Sequence, residues 1–130
     1  MRQSAAPRVL VVDDERHVRG MLRDLLTVWG CQAEEASDAA EGLMLLKRGG
    51  YDLVVTDYLM PGGNGLQLVE TVRNSGAQVG VIMLTASPAD LWAERGRLGF
   101  TLLRKPLEIA SLQTAVEEAL RGLDPDHDDR

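Results

Sequence analysis

The stretch "VLVVDDERHVRGMLRDLLTVWG", residues 9–30, changes its periodicity in mid-course. Val9 to Val12 are uninterrupted aliphatics, and with Arg8 they lie between Pro7 and the pair Asp13–Asp14. A short, Val-rich run of this kind reads as a strand over Arg8–Val12 that is covered on both faces. From Glu15 onward the apolar residues return at three- and four-residue steps: Val18, Met21, Leu22, Leu25, Leu26 and Trp29. That spacing is one face of a helix, and Gly30 is a good stop for it. The junction carries three acids in a row. Glu15 begins the helix, where an acid suits the positive end of the dipole. Asp13 and Asp14 repel each other unless something positive joins them.

The rest of the chain repeats this alternation. "CQAEEA" at 31–36 is a short strand, and Asp38 with Glu41 three residues on resembles a capping box ahead of a helix. That helix turns Leu43 and Leu46 inward and stops at Gly49–Gly50. "YDLVVTD" at 51–57 is a strand, and "PGGNG" at 61–65 is a loop. Leu66, Val69 and Val72 mark a third helix, and "VGVIMLT" at 79–85 a continuous apolar strand. Ser87, Pro88 and Asp90 read as the start of a fourth helix, which Gly96 and Gly99 interrupt. "FTLLR" at 100–104 is the last strand. Ile109, Leu112, Val116, Ala119 and Leu123 form the cleanest helical stripe.

Strands apolar on both faces, alternating with amphipathic helices, imply an α/β architecture with helices on both sides of a parallel sheet. Right-handed crossovers leave few topologies at this length. A flavodoxin-like, doubly wound, five-stranded parallel sheet of order 2-1-3-4-5 with five helices fits best.

Bulk properties bound the function. The 130 residues suffice for one domain, and 45% hydrophobic with 26% charged residues argues for a folded core. A net charge of −6 argues against a nucleic-acid surface. No apolar run approaches the ~20 residues of a membrane span. The N-terminal "MRQSAAPR" lacks the apolar core of a signal peptide. Cys31 is the only cysteine, so a reduced, cytoplasmic setting is expected, with Cys31 as a small buried hydrophobe. Residues 1–7 read as a disordered start, 8–123 as the domain, and 124–130 as an acidic tail in which four of seven residues are Asp.

Ligands of open parallel sheets bind beyond the carboxyl ends of the strands. Those ends carry Asp13–Asp14, Asp57, Thr85 and Arg104-Lys105-Pro106. Three carboxylates, a hydroxyl and an ammonium therefore converge from four distant segments. Hard oxygen donors without His or Cys suit Mg²⁺. Lys105 is a mobile charge for a phosphate or carboxylate, and Thr85 is a hydroxyl that can follow a new charge. Asp57 is the natural nucleophile, able to attack phosphorus and form an aspartyl phosphate.

Together, "DDE" at 13–15, "DYLMPGGNG" at 57–65, "LTAS" at 84–87 and "RKPL" at 104–107 resemble the receiver domains of two-component response regulators, over about residues 8–123. The resemblance implies that Asp57 is the phosphoacceptor and that Asp13, Asp14, Asp57 and the Leu59 backbone carbonyl hold Mg²⁺. It further implies that Thr85, Ala86 and Lys105 bind the phosphoryl group and that Pro106 holds the Lys105 turn. The donor would be a phosphohistidine on a sensor histidine kinase or a histidine phosphotransfer protein. The switch falls to Thr85 and position 102, where the family carries an aromatic and this chain has Leu102, with Phe100 the nearest ring. "WGC" at 29–31 and "GFTLLRKPL" at 99–107 look more like receivers fused to hybrid sensor kinases than like those of DNA-binding regulators.

Several residues have plainer readings. "PGGNG" lacks the Gly-Lys-Ser/Thr ending of a nucleotide loop and reads as a turn. His17 and His127 read as solvated, and Trp29 as a cap on the core. Trp92 reads as core packing; exposed beside Leu91 and Leu102, it would instead form part of a partner patch. Ser87 and Leu59 flank the phosphoryl position and would tune the access of water. A receiver that acts mainly as a binding module is the alternative function. A Mg²⁺-dependent phosphatase would want an acid where Leu59 stands. Only seven residues follow Leu123, so direct nucleic-acid contact is not expected of this chain. Homodimerisation would use the fourth helix, fifth strand and fifth helix.

Overall fold

In the computed structural model β1 (Arg8–Val12) lies second from one edge of a five-stranded parallel sheet. The described residues are 6–60, 63–86 and 91–123, without the side chains of 122 and 123. The sheet is completed by β2 (Gln32–Ala36), β3 (Leu53–Asp57), β6 (Gly80–Thr85) and β7 (Thr101–Arg104), in the order β2-β1-β3-β6-β7. This is the expected 2-1-3-4-5 order. A two-residue antiparallel ribbon, β4 (Leu59–Met60) with β5 (Gly63–Asn64), follows β3. Among the described residues five helices flank the sheet: α1 (Arg16–Val28), α2 (Ala39–Arg48), α3 (Gly65–Asn74), α4 (Trp92–Leu98) and α5 (Ile109–Leu123).

The alternation of side chains along each strand explains the continuous apolar runs. Val9 and Val11 of β1 join a core with Leu22 and Leu26 of α1 and Leu112 and Val116 of α5. Leu10 and Val12 face the opposite way, into a second core with Leu68 and Val72 of α3. Cys31 is buried in the first core and Trp29 packs against it, as expected.

Local signals define the helix ends. The Glu15 carboxylate caps α1 by accepting from Val18 N at 2.8 Å. Asp38 caps α2 by accepting from Glu41 N at 2.8 Å. The reciprocal bond differs from a strict capping box: Glu41 accepts from Ser37 N and Ser37 Oγ, two donors one residue earlier than the cap. The turn reading of "PGGNG" missed a complete capping box, in which Asn64 and Gln67 exchange bonds at the start of α3. Residues 61–62 of that loop lie outside the described residues, as do the Ser87-Pro88-Asp90 helix start and the terminal segments 1–5 and 124–130, His127 included.

Three apolar expectations are corrected. Met21 and Ile109 are exposed, because α1 turns Leu22 and Leu26 to the sheet and α5 turns Leu112, Ala115 and Val116. Trp92 is 73% exposed rather than packed inside. The inward residues beside it, Leu91 and Leu98, are seven positions apart, two helical turns, and Trp92 is rotated about 100° from that face. Arg95 lies over its ring, 5.3 Å from the centroid. Leu91 is buried, so it shares no exposed patch with Trp92.

Candidate functional site

The parallel register brings the strand ends level. Val12 pairs with Thr56, Asp57 with Leu84, and Thr85 with Arg104. Asp13 is therefore the first residue past β1, Asp57 the last residue of the adjacent β3, and Lys105 the first residue past β7. Lys105 N donates to Thr85 O at 2.8 Å, which holds the two chain segments together at this rim. The Lys105–Pro106 bond is cis.

Asp13 is fully buried, Asp14 is exposed, and Asp57 is nearly buried. One carboxylate oxygen from each lies within 4.8 Å of the others. Lys105 Nζ donates to Asp57 Oδ2 at 3.3 Å and lies 3.6 Å from Asp13 Oδ2. Asp57 Oδ1 accepts from Tyr58 N at 2.9 Å. Burial pushes the Asp57 carboxyl above the ordinary carboxylate value. The Lys105 ammonium opposes that rise and the Asp13 charge adds to it.

Asp13 Oδ1 accepts from Glu15 N at 2.8 Å, but Oδ2 is a buried oxygen with no hydrogen-bond partner. A buried carboxylate oxygen left this way is costly, because water no longer reaches it. Its surroundings are two further carboxylates and one ammonium, an excess of negative charge. A hard divalent cation answers that excess, and the exposed Asp14 side leaves room for the waters Mg²⁺ keeps. The donor set fits Mg²⁺.

Thr85 is buried at the end of β6, and Ala86, next along, is exposed. Leu59 has an exposed side chain and pairs with Asn64 in the ribbon. Leu102 is not at the rim: it pairs with Met83 within the sheet and is half-buried against the cluster that contains Phe100. His17 is exposed, as expected.

Two supporting residues were invisible to motif reading. Arg19 Nη1 donates to Asp13 O at 2.8 Å while its Nε donates to Glu35 at 3.0 Å, tying the Asp13 backbone to α1 and β2. No spacing rule announces such a bond. Gly65 starts α3 against the end of β3, where a Cβ would meet Asp57 O at 2.5 Å. The signal for it was a glycine directly after a good N-cap residue, Asn64.

The response regulator receiver domain profile matches residues 9–117, and the chain belongs to that family. Receiver domains are signalling modules of two-component systems. Response regulator MprA of Mycobacterium sp. strain KMS is 35% identical over 121 residues, covering 92% of this chain and 53% of MprA. The chain thus spans about half the length of the curated relatives it matches first. Among solved structures, response regulator TrrA of Thermotoga maritima, determined in complex with Mg²⁺ and BeF, is 30% identical with a TM-score of 0.78, covering 88% of this chain and 99% of that one. The receiver domain of hybrid histidine kinase CckA is also 30% identical, with a TM-score of 0.73, covering 87% and 98%. Among the described residues no helix is long and apolar enough to cross a membrane.

Proposed function

We infer that this chain is a phosphoacceptor switch of a two-component phosphorelay, with residues 8–123 as the receiver unit and Asp57 as the group modified. The observation that supports it most is the orphaned Asp13 Oδ2 beside Asp14, Asp57 and Lys105. A carboxylate oxygen of Asp57 attacks phosphorus of a phosphohistidine on a sensor kinase or phosphotransfer protein. The P–N bond breaks, a P–O bond forms, and the imidazole leaves with the electron pair. Asp13, Asp14, Asp57 and the Leu59 carbonyl would hold Mg²⁺, which when bound offsets the charge on the transferring group. Lys105 stands ready to move from Asp57 Oδ2 to the phosphoryl oxygens. Thr85 supplies a hydroxyl to them, and Ala86 leaves them room. Catalysis is confined to the chain's own phosphorylation and dephosphorylation, in the cytoplasm, with no nucleic-acid contact by this chain. The binding-module alternative draws on Leu102, which leaves β7 without the family's aromatic.

With Mg²⁺ and acetyl phosphate, intact-mass spectrometry is expected to find one added phosphoryl group, absent in Asp57→Asn and after chelation of the metal. An unmodified wild-type chain, or an adduct that survives Asp57→Asn, overturns the reading.

A further inference from the structure

Asp13 stands between β1 and α1, inside neither, so its backbone groups must find partners outside a helix or strand ladder. It is fully buried. Its N–H donates to Ala36 O at 3.2 Å, and its carbonyl accepts from Arg19 Nη1 at 2.8 Å. Its Oδ1 accepts from Glu15 N at 2.8 Å. Only Oδ2 accepts no hydrogen bond, and it lies 3.6 Å from Lys105 Nζ. The carbonyl that Arg19 grips belongs to the peptide joining Asp13 to Asp14. A peptide unit is planar, so holding its oxygen limits rotation at both residues. Arg19 therefore acts on two acids through one bond, although its hydrogen bonds go to a carbonyl and to Glu35 rather than to either acid's carboxylate.

The guanidinium is itself held by β2. Its Nε donates to Glu35 Oε1 at 3.0 Å, and Glu35 Oε2 accepts from Arg23 Nη1 at 2.6 Å. The Arg19 side chain is 16% exposed and that of Arg23 47%, so of the two Arg19 is the one shielded from water. A rigid fork with separate donors can serve a carbonyl and a carboxylate at once. Glu35 also offsets a positive charge that would otherwise oppose a cation at the rim.

We propose that Arg19 is a positioning residue for the divalent cation of the rim: it fixes the peptide between Asp13 and Asp14 and so presents both carboxylates in one arrangement. The proposal rests on the reading of Asp13, Asp14 and Asp57 as Mg²⁺ ligands. Without Arg19 the buried carbonyl loses its donor, and the Asp13–Asp14 peptide can turn toward another one. Each cation bound must then restore the arrangement at its own cost in affinity. The sign of the effect is distinctive. Removing a positive charge near a cation site tightens binding by electrostatics alone. Removing a positioner loosens it.

The test titrates Mg²⁺ by calorimetry into the unphosphorylated chain, Arg19→Met and Arg23→Met, with each fold checked by chemical denaturation. Both substitutions take one positive charge away from Glu35, but only the first releases the Asp13 carbonyl. Arg19→Met is expected to bind Mg²⁺ about 10- to 100-fold more weakly, the usual cost of losing a group that orients a metal's ligands. Arg23→Met is expected to bind as the parent does. Should Arg19→Met fail to fold, Arg19→Gln is read in its place. A folded Arg19 variant whose Mg²⁺ binding is unchanged or tighter overturns the proposal, whatever its loss of stability, and so does an equal weakening in Arg23→Met. A parent that binds no Mg²⁺ overturns the metal reading of the rim itself, and the proposal with it.

Discussion

The rim formed by β1, β3 and α1 and the region of α4 and β7 are built from the same strand–helix unit, yet they are secured differently. At the rim Asp13 is held by Glu15 N, by Arg19 on its carbonyl and by its own N–H to Ala36 O. Glu35 in turn binds both Arg19 and Arg23. At α4 the helix is seven residues long, its N-cap makes no side-chain bond, Gly96 lies inside it, and Trp92 points to solvent. Phosphoryl transfer needs oxygens already in place, so their order must not depend on the incoming group. A signal needs an element that moves at small cost, and such elements come from the less stable parts of a fold. In the proposed function the rim answers the first of those demands.

The sharpest contrast should appear on truncation. Leu84→Ala, in the first core, is expected to cost about 2–5 kcal/mol. Trp92→Ala is expected to stay within about 0.5 kcal/mol of wild type. Chemical denaturation of the two variants checks both, and a large loss at Trp92 would mean α4 is more firmly packed than its exposure indicates. Next is Gly65→Ala, expected to cost about 1–3 kcal/mol because the new Cβ meets backbone that cannot yield cheaply. It should also slow Asp57 phosphorylation, read by mass spectrometry over time. Arg73→Met is expected to cost a similar amount, about 1–3 kcal/mol, by leaving three carbonyls without their shared donor. Its mark should be local: hydrogen exchange rises in α4 and hardly changes in α1.

Gly96→Ala works the other way. Nothing lies within 4 Å of the added Cβ, so α4 should gain about 0.5–1 kcal/mol. That gain narrows the difference between the regions, and hydrogen exchange in α4 should fall. The smallest effect at neutral pH concerns Tyr51, far from both regions. Burial, and a hydrogen bond to Glu34, push its phenol up to about 12. The neutral phenol is the favoured folded form, so its contribution is complete below the unfolded value of about 10. It is lost as the pH rises from there to about 12. Tyrosinate absorbance should show a late-titrating step that Tyr51→Phe removes.

The convergence of Asp13, Asp14, Asp57 and Lys105 was legible from the chain because each strand end carries its acid or lysine in a recognisable run. Asp13, Asp14, Asp57, Thr85 and Lys105 could be named without coordinates. Residues that work through backbone atoms could not. Arg73 donates to carbonyls of residues 79, 98 and 99, and a carbonyl has no side-chain identity to read. Gly65 matters for a contact with Asp57 O that only the approach of α3 creates. Trp92 failed as a core residue because an apolar side chain next to a helix's inward face need not share it.

What the amino-acid order determined is whatever repeats locally: strands apolar on both faces, helices with one apolar stripe, and hence a covered parallel sheet whose polar residues gather at one rim. The tertiary structure alone decided the register that sets Asp57 against Leu84, the buried Asp13 oxygen that accepts no hydrogen bond, and the anchoring of α4 by Arg73. Period and composition act over a few residues. Distances between segments tens of residues apart are settled only when every helix has found its place on the sheet, since packing is summed over the whole core.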